Sequence, residues 1–213
     1  VTTKQKDGKG RRRTFDLDAA LAAGQRLFHD QGYAAVGVAA LTEAIGIKPP
    51  SFYAAFGSKA GFFQRVAERY ANATLRADEI LTPGRPPVEA LEDLLRQAAL
   101  QYASEPCGAG CLVLENARSA DEGGIIAGAL MERRRQEVRD FVRQTHPQRA
   151  DVVADYVVAV MSGLSASARR GLDRQRLLAI ADNGSTGLGS LLASDQRGSG
   201  EADSTADDRE GGR

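Results

Sequence analysis

The stretch that decides the reading is "AALTEAIGIKPPSFYAAFGSKAGFF", Ala39 to Phe63. It holds two short runs of helical spacing. Val38, Leu41 and Ile45 mark a helix over about 38–45, and Phe52, Tyr53 and Phe56 mark another over 49–56. Gly46 parts them, and the second opens on Pro49 and Pro50. Proline in a first turn loses nothing, because the N–H there has no partner inside the helix. Two in succession fix φ at both positions and reduce the entropy lost on ordering. Covalent geometry, not a side-chain cap, sets where this helix starts. Two helices joined by a glycine turn, the second rigid and polar on its outer side, match a helix-turn-helix. In that arrangement the second helix lies in the major groove, and only its first turns reach base edges.

Working outward, Asp18 to Gln31 carries Ala19, Leu21, Ala22, Ala23, Leu27 and Phe28 at helical spacing. Asp16 or Asp18 can cap its start, and Gly32 ends it. After the quoted stretch, Ser58 is the expected N-cap of a long helix over about 59–81. "TPGRPP", Thr82 to Pro87, breaks the pattern. Further helices are expected over about 88–104, 111–117, 124–145, 148–170 and 173–192. No alternating strand pattern and no repeat is present, so the fold class is all-α with about nine helices. The expected organisation is a flexible basic arm (1–13), a three-helix head (14–60), a helical body (61–193) and a disordered tail (194–213) rich in Ser, Gly, Asp and Glu.

The 213 residues balance at zero net charge, but unevenly. Residues 1–60 hold nine Lys/Arg against five Asp/Glu, whereas 61–213 hold nineteen against twenty-three. A basic quarter on an acidic remainder suggests a small polyanion-binding head. No run reaches the roughly 18 apolar residues that span a bilayer. No apolar segment follows the basic N-terminus, so a signal peptide is not expected. Two cysteines, Cys107 and Cys111, are too few for a disulfide framework, and a reducing cytoplasm is the expected compartment. His29 and His146 have no ligand-spaced partners, so no metal site is expected. No nucleophile–base pair or phosphate loop stands out, so neither an enzyme nor a cofactor is expected.

"LFHDQGYAAVGVAALTEAIGIKPPSFYAAFGSKAGFF", Leu27 to Phe63, resembles the DNA-binding head of the TetR family of transcriptional regulators. The match lies in the "GY" after helix one, the "LTEAIGI" run, "SFYAAFGSK" and the apolar pair behind it. "GCLVLENA", Gly110 to Ala117, looks like the start of a helix in one branch of the family. The resemblance implies contacts to a double-stranded operator from Lys48, Pro50, Ser51, Tyr53 and Lys59, with Thr42 and Gly37 on the preceding helix. Tyr53 and Lys59 would meet phosphates, and Ser51 a phosphate or a base edge. Arg11, Arg12 and Arg13 can track phosphates or enter a narrow minor groove. This sequence departs from the family where Gly37 stands for the usual capping Ser or Thr, where Ala40 stands for a polar residue, and where Lys48 stands for a capping Ser.

The resemblance further implies a homodimer through the last two helices. Ala154, Ala159, Gly163, Ala181, Gly184 and Gly187 would permit their close approach. A small-molecule effector would occupy the body. Phe63, Tyr70, Leu95, Tyr102, Leu114, Asn116, Met131, Tyr156, Val160 and Met161 are the candidate lining, and a neutral or weakly polar organic ligand is expected. The expected function is a repressor released from a palindromic operator by that ligand. Two alternatives stand beside it: a thiol-redox switch at Cys107 and Cys111, and a helical small-molecule binding protein that does not bind DNA.

Overall fold

The computed structural model describes residues 16–104 and 110–193. The arm, Cys107 and the tail after 193 lie outside the described residues. Ten helical segments and no strand occur among those described. α1 spans Leu17–Ala35, with Asp16 accepting the Ala19 N–H at 3.1 Å. Gly32 breaks it at φ +76°, as the sequence indicates. α2 is Val38–Ile45 and α3 is Pro49–Phe56. α4, Lys59–Thr74, starts on Ser58, whose Oγ accepts the Gly61 N–H at 3.0 Å.

The expected long helix over 59–81 is divided. It stops at Thr74, and α5, Ala77–Ile80, is a separate turn. Thr74 Oγ1 donates back to the Tyr70 carbonyl at 2.6 Å, and Leu75 turns extended (φ −134°, ψ 93°). The Leu75 carbonyl accepts from the Ala77 N–H at 2.8 Å and from Arg134 Nη2 at 3.2 Å. α6 (Pro87–Ser104), α7 (Leu112–Asn116), α8 (Glu122–Arg143), α9 (Ala150–Arg169) and α10 (Arg174–Ala193) complete the chain.

One hydrophobic core runs through the molecule. Beneath the head, Phe62 of α4 packs on Phe28, Phe52 and Phe56, with ring centroids 6.2, 5.3 and 4.5 Å away. Gly24 of α1 admits the Phe62 ring; a Cβ there would lie 2.3 Å from it. In the body, α6, α9 and α10 pack mutually against one another. α9 is apolar and long enough to cross a bilayer by composition, which the sequence reading did not credit. Its Val153, Ala154, Val157 and Leu164 are fully buried, so its apolar character is that of a bundle's central helix.

Four of the six small residues assigned to dimerisation are used within the protomer. Ala154 and Ala181 are fully buried, Gly184 lies against Val160 and Leu95, and Gly187 lies beneath the Tyr156 hydroxyl. Ala159 and Gly163 remain exposed, on one stripe of α9 with the 44 % exposed Val152.

Candidate nucleic-acid interface and effector cavity

α2 ends in a Schellman turn. Gly46 sits at φ +76°, its N–H reaches the Glu43 carbonyl at 3.1 Å, and the Ile47 N–H reaches Thr42 at 3.0 Å. The turn delivers the chain to Lys48, an N-cap without a side-chain hydrogen bond, and the prolines then fix the first turn of α3. Phe52 and Phe56 point into the head, leaving Lys48, Pro49, Pro50, Ser51, Tyr53 and Ala54 outward. Tyr53 is 50 % exposed, with its ring edge-on to Phe52. The helix therefore stands on an aromatic base and presents an exposed face on which Lys48, Ser51 and Tyr53 alternate with the hydrocarbon of Pro49, Pro50 and Ala54.

The other assigned DNA residues divide. Gly37 is exposed at the α2 N-cap and makes no side-chain cap, so that helix start lacks the hydroxyl that Ser or Thr supplies. Thr42 corrects the expectation: it is buried, and its hydroxyl donates to the Ala39 carbonyl at 2.9 Å. Lys59 is also turned inward. Its Nζ donates to the Tyr33 and Val36 carbonyls at 3.0 and 3.1 Å and sits 4.0 Å over the Tyr33 ring. It ties the start of α4 to the end of α1. Arg12 and Arg13 lie outside the described residues. Arg65 was missed: its exposed guanidinium lies 5.6 Å over the Phe56 ring, beside the end of α3. The sequence reading names no role for it; it falls within the expected body (61–193), in the second turn of α4.

Three hydrogen bonds join the end of α1 to the segment around α7. His29 Nε2–H donates to the Gly110 carbonyl at 3.0 Å; a carbonyl partner requires the proton on that nitrogen. The Tyr33 N–H donates to Asn116 Oδ1 at 2.9 Å, and Asn116 Nδ2 donates to the Leu112 carbonyl at 2.8 Å. The Tyr33 hydroxyl donates to Glu122 Oε2 at 2.9 Å, over Gly123, where a Cβ would lie 2.3 Å from the ring. Burial and then Glu122 push the Tyr33 hydroxyl up to about 12 from 10.0. The neutral donor is thus favoured in the folded state. Its contribution is complete below pH 10 and is lost as pH rises through about 12. Tyr33→Phe is expected to be less stable than wild type at pH 9, with the difference shrinking by pH 12. Urea midpoints at the two pH values measure this.

Behind α7 lies a cavity of about 80 Å³ between α4, α6, α8 and α9. Of the ten candidate lining residues, Tyr70, Tyr102, Leu114, Met131 and Met161 border it. The other five candidates are elsewhere. Phe63 is fully buried near the start of α4 against Phe28 and Tyr33 of α1. Leu95, Tyr156 and Val160 pack where α6, α9 and α10 meet, with the Tyr156 hydroxyl donating to the Gly184 carbonyl at 3.1 Å. Asn116 serves the α1 joint. The lining also contains Cys111 and, at the mouth, Arg133, Arg134 and Glu137. Such charge was not part of the neutral-ligand expectation.

Residues 20–66 match the sequence profile of bacterial regulatory proteins of the tetR family. The chain is 43 % identical over 183 residues to the HTH-type transcriptional repressor BdcR of Escherichia coli K12, covering 85 % of this chain and 93 % of that protein. It is 32 % identical over 189 residues to the HTH-type transcriptional repressor ComR of the same organism, covering 83 % and 90 %. It is also 31 % identical to a cysteine-substituted TetR family regulator, CifR, solved with 26-base-pair operator DNA. That match has a TM-score of 0.73 and covers 83 % of this chain and 98 % of that one.

The chain belongs to the TetR family.

For a TetR-family transcriptional regulator, the parts described have a natural division. The α2–turn–α3 unit is the helix-turn-helix, and α4 passes from it to the body, where it lines the cavity at Tyr70 and Thr74. Cys111 faces the cavity, but burial pushes its thiol up, outweighing the opposing influence of the neighbouring Leu114 and Val113 amides and the Tyr102 hydroxyl. Burial likewise holds the Tyr102 hydroxyl well above its ordinary value. The thiolate that oxidation and alkylation require is therefore disfavoured.

Proposed function

We propose that this TetR-family regulator is a homodimeric repressor that leaves a palindromic operator when a small organic molecule fills the cavity. The supporting observation is the joint between cavity and head: α7 lines the cavity through Val113 and Leu114, and Asn116 of the same helix holds the Tyr33 N–H of α1. The naming of BdcR and ComR as repressors, and the operator bound to CifR, favour the DNA-binding part. The division into arm, head (14–60) and body (61–193) belongs to this reading, as does a cytoplasmic setting beside the DNA. Pairing would use the exposed Val152, Ala159 and Gly163 of α9 with the neighbouring face of α10. The two recognition helices would then stand about one DNA turn, roughly 34–36 Å, apart.

In this mechanism a ligand that displaces α7 moves the end of α1, and α1 with α4 carries α3. The ligand must bind the released arrangement more tightly than the DNA-bound one, or the equilibrium does not move. Fragments selected from random DNA supply the operator, and fluorescence anisotropy then measures affinity with and without effector. Asn116→Ala is expected to bind DNA but respond less to effector. A full response in that variant would rule out the α7–α1 route.

Lys59→Ala discriminates its two roles. As the clamp between α1 and α4 it should cost about 1–3 kcal/mol of stability, with the salt dependence of DNA binding unchanged. As a phosphate contact it would flatten the slope of log affinity against log salt by about 0.9. The hydrogen-bond geometry favours the first outcome.

The thiol reading has one observation in its favour, the position of Cys111 on the cavity wall. Replacing both Cys107 and Cys111 with Ser should leave release by a small effector intact. Loss of an oxidant response in that variant would instead support redox control.

A further inference from the structure

The cavity does not close with an apolar rim. Its mouth and an outer groove of about 670 Å³ between α4–α5 and α8 share Asn72, Leu75, Arg133, Arg134 and Glu137. Arg134 stands between the two spaces with its side chain only 18 % exposed. Its Nη1 donates to Glu137 Oε2 at 2.7 Å and its Nη2 to the Leu75 carbonyl at 3.2 Å. Arg133, 68 % exposed, donates through Nε to the other Glu137 oxygen at 3.2 Å. One carboxylate thus serves two guanidinium groups, and this trio carries one positive charge in excess. The remaining charged groups of the groove do not supply the missing anion. Asp78 is engaged by Arg76, and Asp140 by Arg139, at 3.6 and 3.2 Å.

Accepting the cavity as the effector site, as above, we propose that its ligand is a small organic carboxylate. The apolar part lies among Tyr70, Leu114, Met131 and Met161, and the carboxylate takes the place of Glu137 on Arg134. A guanidinium offers a carboxylate two parallel donors, and a partly desolvated one gains more from them than an exposed one. The cavity volume limits the apolar part to a short chain or a single ring. The same exchange reaches the head. Arg134 shares the Leu75 carbonyl with the Ala77 N–H at the break that ends α4, so a ligand that turns the guanidinium inward removes one of the two donors that fix that break.

The test is calorimetry on the full chain without DNA, using hexanoate, hexanamide and hexylamine, matched in chain length. Hexanoate should bind about tenfold or more tightly than hexanamide, the difference expected for hydrogen bonds to a charged group. Arg134→Gln should abolish that preference. Glu137→Gln removes the resident competitor and should tighten hexanoate severalfold, a gain that a purely structural role for the pair does not produce. If Arg134→Gln fails to fold by circular dichroism, the Glu137→Gln result decides alone. Equal binding of amide and carboxylate, preference for the amine, weaker hexanoate binding by Glu137→Gln, or no binding at millimolar concentration overturns the proposal. Because DNA is absent, selective binding that leaves operator affinity unchanged would uphold this site and reject the release mechanism. Release by an effector that is not a carboxylate would do the reverse.

Discussion

Phe62→Ala is expected to lower the melting temperature by about 10 °C or more and to abolish DNA binding near the new midpoint. Phe62 is fully buried, and its ring is the common neighbour of α1 through Phe28 and of α3 through Phe52 and Phe56. Truncating a buried Phe costs about 3–5 kcal/mol, against a total stability of about 5–15 kcal/mol. The loss should be greater in function than in fold. α3 has eight residues, too few for an isolated helix, so it keeps its direction only while its aromatic base is intact. Circular dichroism melts paired with anisotropy on a selected operator measure both effects. DNA affinity at wild-type level would show that α3 is oriented by something other than this ring.

Removing residues 1–13 should weaken DNA binding by about a hundredfold or more at 50 mM salt and flatten its salt dependence. The reason is where the head keeps its positive charge. Residues 1–13 hold six Lys/Arg and one Asp. Residues 16–61 hold only Arg26, Lys48 and Lys59 against Asp16, Asp18, Asp30 and Glu43. The ammonium of Lys59 is already engaged on two carbonyls. For every phosphate that the arm neutralises, its removal should reduce the slope of log affinity against log salt by about 0.9. Melting temperature should not change, because the described core contains none of these residues. An unchanged slope would place the phosphate contacts on α3 and α4 instead. Arg12→Ala with Arg13→Ala then separates two positions from bulk charge.

The head was legible in the sequence because each of its joints is marked by a residue with restricted or unusual backbone freedom. Gly32 and Gly46 adopt positive φ, and Pro49 and Pro50 allow only a helix start. The cavity was half legible. Helical spacing shows that Phe63, Leu95 and Tyr70 face inward, but not which neighbour each meets, and only Tyr70 reaches the cavity. Thr42, Lys59 and Asn116 show the complementary failure. Polar residues were read as contacts for a partner, whereas each satisfies a main-chain group of the protein itself. The end of α4 was hidden for a similar reason. Besides the nearby Ala77 N–H, the Leu75 carbonyl is received by Arg134, 59 residues away, and no local pattern announces such a partner.

The double proline at the start of α3 has a consequence for the operator. Two of the amides that a helix tip ordinarily offers to an anion do not exist there, and no Arg, Asn or Gln lies between Pro49 and Phe56. The outward surface of Pro50 and Ala54 is hydrocarbon, the kind that thymine's C5 methyl accepts. Selected half-sites should therefore be defined by methyl placement and by how readily the duplex bends between them, with guanine positions tolerant of exchange.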